Sequence, residues 1–199
     1  VLLRSTHSVM KSTASKPIFV ALLRGVNVGG KNMISMSSLK TSFERIGFQD
    51  VSTYINSGNI LFKSKETDAR KLEKKIEQML SKEYKLDSKV VVKSYSEMAN
   101  LITSLPKNWN GDKAYRFNVM FLRHAIDSED LLNGLEPNQE IEEVVVYRPG
   151  ALLWSSLLSD LNQTNMAKVS SKKSFQEVTV RNLNTTRKLY ELMKKMAED

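Results

Sequence analysis

Val51-Ser-Thr-Tyr-Ile-Asn-Ser-Gly-Asn-Ile-Leu-Phe-Lys63 reads as two strands folded back on each other. The first six residues alternate as a strand does, and 59–63 is a second β-prone run. Ser57-Gly58 between them supplies a turn in which glycine takes positive φ without steric cost. Working outward, an amphipathic helix lies on either side of this hairpin. Ser35 stands as N-cap before Met36, Leu39, Phe43 and Ile46 at helical spacing, and Gly47 ends that run. Asp68 caps the other helix, whose apolar face is Ala69, Leu72, Ile76 and Leu80. Beyond the helices, the apolar runs 18–23 and 89–93 are short enough for buried strands. The order β-α-β-β-α-β predicts a ferredoxin-like half.

The remaining chain repeats that order. Ser94-x-x-Glu97 is a capping-box pattern opening a short helix to about Leu105, and residues 106–114 read as a linker holding Trp109. A strand over 115–122 follows, then a short acidic helix capped by Asp127. A hairpin comes next (143–147 and 151–155, around Arg148-Pro149-Gly150), then a helix over 157–166 and a last strand over 177–180. Leu189, Leu192, Met193 and Met196 form the stripe of a C-terminal helix. Two local likenesses support a duplication: Val20-Ala-Leu-Leu-Arg24 with Val119-Met-Phe-Leu-Arg123, and Val90-Val-Val-Lys-Ser94 with Val178-Thr-Val-Arg-Asn182. The expected fold class is α+β, with two duplicated ferredoxin-like (βαββαβ) subdomains, each followed by an extra helix. The expected boundaries are 17–105 and 115–199, with residues 1–16 a flexible extension.

Composition narrows the functional classes. The chain has 199 residues, 41% of them apolar, no cysteine and two histidines, His7 and His124. Disulfides, thiolate zinc sites and a cysteine nucleophile are excluded, and a multi-histidine metal site is not expected. Absence of cysteine fits a reducing compartment. Leu2-Leu3 is no secretory h-region, and no apolar run approaches the roughly 18 residues of a membrane span. A cytoplasmic protein without membrane contact is expected. The net charge of +8 is unevenly spread: seven acids and no base lie between Asp127 and Glu143, and ten bases against six acids between Lys63 and Lys93. Such asymmetry permits attraction to phosphates, although the basic helix around Arg70–Lys75, interleaved with Glu73 and Glu77, reads as a solvated face.

The loop that carries the most chemistry is Gly25-Val-Asn-Val-Gly-Gly-Lys31, which satisfies G-x-x-x-x-G-K between a strand and a helix. Position 32 is Asn, so the Mg²⁺-ligating hydroxyl of a P-loop is missing, the helix starts late, and no strand ends in a second acidic ligand. A nucleotide triphosphatase is therefore not expected, and Asn27 breaks a dinucleotide fingerprint. Glycine and asparagine serve a sharp turn equally well, yet Arg24, Asn27, Lys31 and Asn32 offer more hydrogen bonding than a turn needs. Tyr54, Asn56, Ser57 and Asn59 form a second polar set on the hairpin. In a ferredoxin-like half both sets fall at the same end of the sheet. With the backbone of Gly29 and Gly30 they make a candidate ligand site. Arg181, Asn182, Asn184 and Thr185, at the opening of the last helix, form a secondary candidate whose plainer reading is an ordinary cap by Asn184 or Thr185. His124 reads as a strand-end histidine.

The segments Ala21-Leu-Leu-Arg-Gly-Val-Asn-Val-Gly-Gly-Lys-Asn32 and Thr53-Tyr-Ile-Asn-Ser-Gly-Asn59 closely resemble a widespread, mostly bacterial family of small proteins of unknown function. Arg181-Asn-Leu-Asn-Thr185 resembles its C-terminal motif, and the likeness spans about residues 17–197. The family implies two ferredoxin-like subdomains and no activity. Its motif residues fall here on Arg24, Gly25, Asn27, Gly29, Gly30, Lys31 and Asn32 in the loop, and on Tyr54 and Asn56 to Asn59 in the hairpin. Leu183 departs from it, standing where the family often has tryptophan. The expected function is binding of a small anionic or phosphate-bearing ligand at residues 24–32 and 54–59, with no cofactor. Nucleic-acid binding across a sheet face, and an enzyme of unidentified chemistry, are the alternatives.

Overall fold

Six consecutive apolar residues, Ile18–Leu23, form β1, and every one is buried. A strand buried at all positions needs cover on both faces, and the remaining elements supply it. The computed structural model describes residues 16–27, 33–166 and 173–198. After β1 come α1 (Met36–Arg45), β2 (Gln49–Tyr54), β3 (Asn59–Lys63), α2 (Ala69–Tyr84), β4 (Val90–Ser94) and α3 (Tyr95–Thr103). The caps are those the sequence predicts. Ser35 accepts from the Ser38 amide, Asp68 from Arg70 and Lys71, and Ser94 with Glu97 closes a capping box. The strands form an antiparallel sheet in the order β2-β3-β1-β4.

The second half comprises β5 (Tyr115–Leu122), β6 (Val144–Arg148), β7 (Ala151–Leu157), β8 (Val178–Asn182) and α4 (Leu183–Glu198). Its sheet order, β6-β7-β5-β8, reproduces the first, so the fold is α+β with duplicated ferredoxin-like subdomains. The connections differ from expectation. Between β5 and β6 lies a 3-10 turn, Glu129–Leu132, capped by Ser128 rather than Asp127. Asp127 Oδ1 instead accepts from the Tyr147 hydroxyl (3.0 Å) and the Gly150 amide (2.9 Å). Within 157–166 the structure has a 3-10 turn at Leu158–Gln163. Ser, Asp, Asn and Gln side chains there compete for the backbone and weaken a regular helix. Buried Glu143 takes up the stray donors, accepting from the amides of Asn138, Asn165 and Met166 and from Trp154 Nε1.

Three apolar layers result. Phe19, Ala21 and Leu23, on one face of β1, pack with Phe43, Phe62, Leu72 and Ile76 beneath α1 and α2. Ile18, Val20 and Leu22, on its other face, share a core with Phe117, Val119 and Phe121 of β5. Met98 and Leu101 of α3 and Leu183, Leu189 and Met193 of α4 complete that core. Trp109 belongs to it as well, 3% exposed and 5.1 Å from the Phe117 ring. The far face of the second sheet, Met120, Leu122, Leu152 and Trp154, is covered by Leu135, Met166 and Phe175.

Candidate functional site

Where β1 ends, the chain is held on both sides. Leu23 N donates to Gly58 O (2.8 Å), Arg24 N to Lys89 O (3.1 Å), and Ser88 Oγ to Arg24 O (2.7 Å). The β1–α1 loop and the β2–β3 turn therefore meet at one end of the sheet. Gly25 and Asn27 take left-handed conformations on either side of the buried Val26. Asn27 then closes the loop's neck: its Nδ2 donates to Ile34 O (2.8 Å) and its Oδ1 accepts from Ile34 N (2.7 Å). The turn opposite passes through Ile55 and Gly58, both at positive φ. Asn59, fully buried, donates from Nδ2 to Tyr54 O (3.1 Å) and Ser57 Oγ (3.0 Å).

The other half reaches into this end. Arg181, on β8, donates from Nε to Asn59 Oδ1 (2.6 Å) and from Nη2 to Leu23 O, Ser57 O and Gly58 O at 3.0, 2.9 and 3.3 Å. Burial pushes its guanidinium down to about 10, still protonated at neutral pH. Arg24 reciprocates, its Nη1 donating to Val178 O (3.0 Å) and Phe175 O of the second half. Both arginines border a cleft of about 290 Å³, whose walls include Gly25, Phe175, Val178 and Val180. Among the described residues neither guanidinium pairs with a carboxylate, and Arg24 Nε and Nη2 have no acceptor.

The duplicated segments build a counterpart close by, since Arg24 reaches Val178 O and Arg123 pairs with the adjoining Glu177. Arg123 corresponds to Arg24, Lys93 to Arg181, and Gly150 to Gly58. Leu122 N donates to Gly150 O (3.0 Å) as Leu23 N does to Gly58 O, and Lys93 Nζ stands 3.0 Å from where a Cβ on Gly150 would lie. Here the positive charge is matched. Arg123 pairs with Glu73 (3.6 Å), Glu77 (3.1 Å) and Glu177. His124 lies between Glu73 (Nδ1, 3.4 Å) and Glu97 (Nε2, 2.8 Å), and these two carboxylates hold its ring up at about 9 against burial. For Glu97 burial is outweighed by His124, Lys93 and Ser94, which bring it down to about 2. Burial lowers the Lys93 ammonium, 3.7 Å from Glu97. His124 is thus no ordinary strand-end residue, and the reading of Glu73 as part of a solvated face is corrected: it is 1% exposed and also accepts from Val92 N.

Of the residues singled out from sequence, Arg24, Asn27, Ser57, Asn59 and Arg181 come together where β1 ends. Tyr54 is half-buried against the shared core and Asn56 is exposed. Gly29, Gly30, Lys31 and Asn32, and the extension through residue 15, lie outside the described residues. At the secondary candidate, the cap of α4 is Asn182, whose Oδ1 accepts from Thr185 N (2.8 Å), rather than Asn184 or Thr185. Thr185 is buried and Asn184 exposed. Sequence reasoning missed Lys93, Glu97 and His124. The available signal was the internal repeat, which aligns Lys93 with Arg181.

A duplicated ferredoxin-like protein whose halves exchange arginines and share a charged network is the class these features define. The chain belongs to DUF1697, a family described as proteins of unknown function, whose model matches residues 17–152. It is similar to the conserved bacterial protein SP0830 from Streptococcus pneumoniae at 25% identity and a TM-score of 0.80, covering 90% of this chain and 99% of that one. The small subunit of acetolactate synthase from Thermotoga maritima matches over 84% of this chain and 97% of its own at 17% identity. Its TM-score of 0.20 carries no argument. Comparison with curated proteins gave no match. Among the described residues no helix is long and apolar enough to cross a membrane.

Proposed function

We propose that residues 24–32 and 54–59 bind a small anionic or phosphate-bearing ligand. One observation carries this reading: Arg24 and Arg181 arrive from opposite halves and, among the described residues, meet only neutral oxygen acceptors. Carbonyl groups orient a guanidinium without cancelling its charge, and apolar walls at Phe175, Val178 and Val180 strengthen its field in the cleft. The counterpart site, where the corresponding arginine meets three glutamates, supplies the contrast. The sequence adds Lys31 and the backbone of Gly29-Gly30 in a loop whose neck Asn27 closes, and exposed Asn56 on the abutting hairpin. Arg24 Nε and Nη2, Lys31, Asn32 and Asn56 are the groups we assign to the ligand. Asn27, Asn59 and Arg181 hold the frame.

Titration calorimetry with inorganic phosphate, pyrophosphate, nucleotides and phosphorylated metabolites tests this. Lys31→Ala and Asn56→Ala should each weaken binding about tenfold with an unchanged melting temperature. Binding undiminished in Arg24→Ala/Lys31→Ala, or no binding across the panel, rejects the site. Nucleic-acid binding across a sheet face is disfavoured by packing: Ile18, Val20 and Leu22 face the second sheet, and Phe19, Ala21 and Leu23 face the helices, leaving no open face for bases.

A further inference from the structure

At the opposite end of β1, the first half carries a groove that the proposed ligand site does not use. Lys16, Lys63, Lys65, Lys71 and Lys75 line one concavity of about 250 Å³ with Phe48, and among the described residues Glu66 is the one acid in its wall. The charges are only partly matched. Lys63 pairs with Asp50 (2.9 Å) and Lys71 with Glu66 (3.6 Å), while Lys16 donates to the neutral Gln49. The Glu66 carboxylate already accepts from the amides of Thr67 and Asp68. Among the described residues Lys65 has no carboxylate partner, and Lys75 lies over the Phe48 ring at 5.3 Å. Like charges gathered in a concavity repel, which a chain selected for stability alone would avoid. The edge strand is also shaped here. A bulge between Gln49 and Ser52 carries Asp50 at φ 49, a left-handed conformation costly for a non-glycine residue, and it bends β2 where Gln49 meets Lys16.

A second concavity of about 380 Å³ adjoins the first, sharing Lys16 and Lys63 and bordered by Tyr95. The Tyr95 ring is partly exposed and stacks on Tyr190 (centroids 5.7 Å apart, 10° between planes). Lysines from several elements spread over two joined concavities exceed what one phosphate group can reach. A basic track leading to an aromatic ring suits a strand with successive phosphates and unstacked bases. We propose that this groove binds single-stranded nucleic acid, its phosphates on Lys16, Lys63, Lys65, Lys71 and Lys75 and a base against Tyr95. The groove opens at the start of β1, about 20 Å, the length of a six-residue strand, from Arg24 at its end, so either site can fail without the other.

Fluorescence anisotropy of labelled single-stranded DNA and RNA 20-mers, across a salt series, tests the proposal. Lys65→Gln/Lys75→Gln should weaken binding at least about tenfold. It should also make the salt dependence shallower by about 1.4, at roughly 0.7 per phosphate contact on a single strand. Tyr95→Ala should weaken binding about tenfold with the salt slope unchanged. Lys107→Gln/Lys113→Gln, exposed lysines in the link between the halves, should change affinity less than about twofold. Thermal melts of each variant confirm folding. Absence of single-strand binding at low salt, equal losses in the groove and control pairs, or equally tight binding of a duplex or of pyrophosphate would each overturn the assignment.

Discussion

Gly58 and Gly25 occupy the same backbone region, at φ 70 and 67, for different reasons. A Cβ on Gly25 would meet nothing within 4 Å, whereas one on Gly58 would lie 2.9 Å from Leu23 Cβ, in the close approach that lets the hairpin seat against β1. Gly25→Ala should therefore cost only the left-handed penalty, about 1 kcal/mol. Gly58→Ala adds overpacking and should cost about 3 kcal/mol, measured by urea denaturation of both variants. Arg181 poses the complementary case, a side chain whose removal leaves acceptors bare. Asn59 Oδ1, Leu23 O and Ser57 O all depend on its planar fork. Arg181→Met should destabilise by about 3 kcal/mol. Arg181→Lys should recover less than half of that, because an ammonium on a flexible stem cannot reproduce the fork. Recovery to wild-type stability in the lysine variant would show that charge alone matters there.

Among the elements, those of the first half are legible from the chain because each has its own periodicity and cap: Ser35, Asp68 and Ser94 all cap as predicted. The second half is less legible, since the links around β6 and β7 are 3-10 turns held by Ser128, Asp127 and Glu143 through contacts no periodicity records. The meeting of the two polar segments follows from topology. What fills the space between them does not, because Arg181 binds mainly backbone carbonyls, which have no residue signature, and Leu23 lies 158 positions away. The repeat could have placed the last cap. Aligning Val90–Ser94 with Val178–Asn182 puts Asn182 on Ser94, and both residues open a helix. Asn182→Ala should accordingly lower stability by about 1 kcal/mol, while Asn184→Ala should stay within about 0.5 kcal/mol in the same denaturation assay.

Across the whole molecule, the shared core and the charged network make the two halves one electrostatic unit with a defined pH window. His124 is faced by Glu73 from α2, Glu97 from α3 and Lys93 from β4. Arg123, which pairs with Glu77 and Glu177, is its chain neighbour, and Asp127 adds a further charge beside Lys93. Its ring is raised from 6.5 to about 9, so its contribution is complete below pH 6.5 and disappears as pH climbs through 9. Glu97 is lowered from 4.5 to about 2, so its contribution is complete above pH 4.5 and disappears as pH falls toward 2. These groups together place maximal stability between pH 4.5 and 6.5. The His124 shift corresponds to about 3 kcal/mol, which solvent screening of a partly exposed pair reduces to about 1–2 kcal/mol. Urea denaturation should show wild-type stability falling by that amount between pH 6.5 and 9, in a single transition because Ile18, Val20 and Leu22 unfold with Phe117, Val119 and Phe121. His124→Gln should be less stable at pH 6 and lose the slope above it. A variant that kept the wild-type slope would move the titration to another group, and two separate transitions would mean that the halves unfold independently.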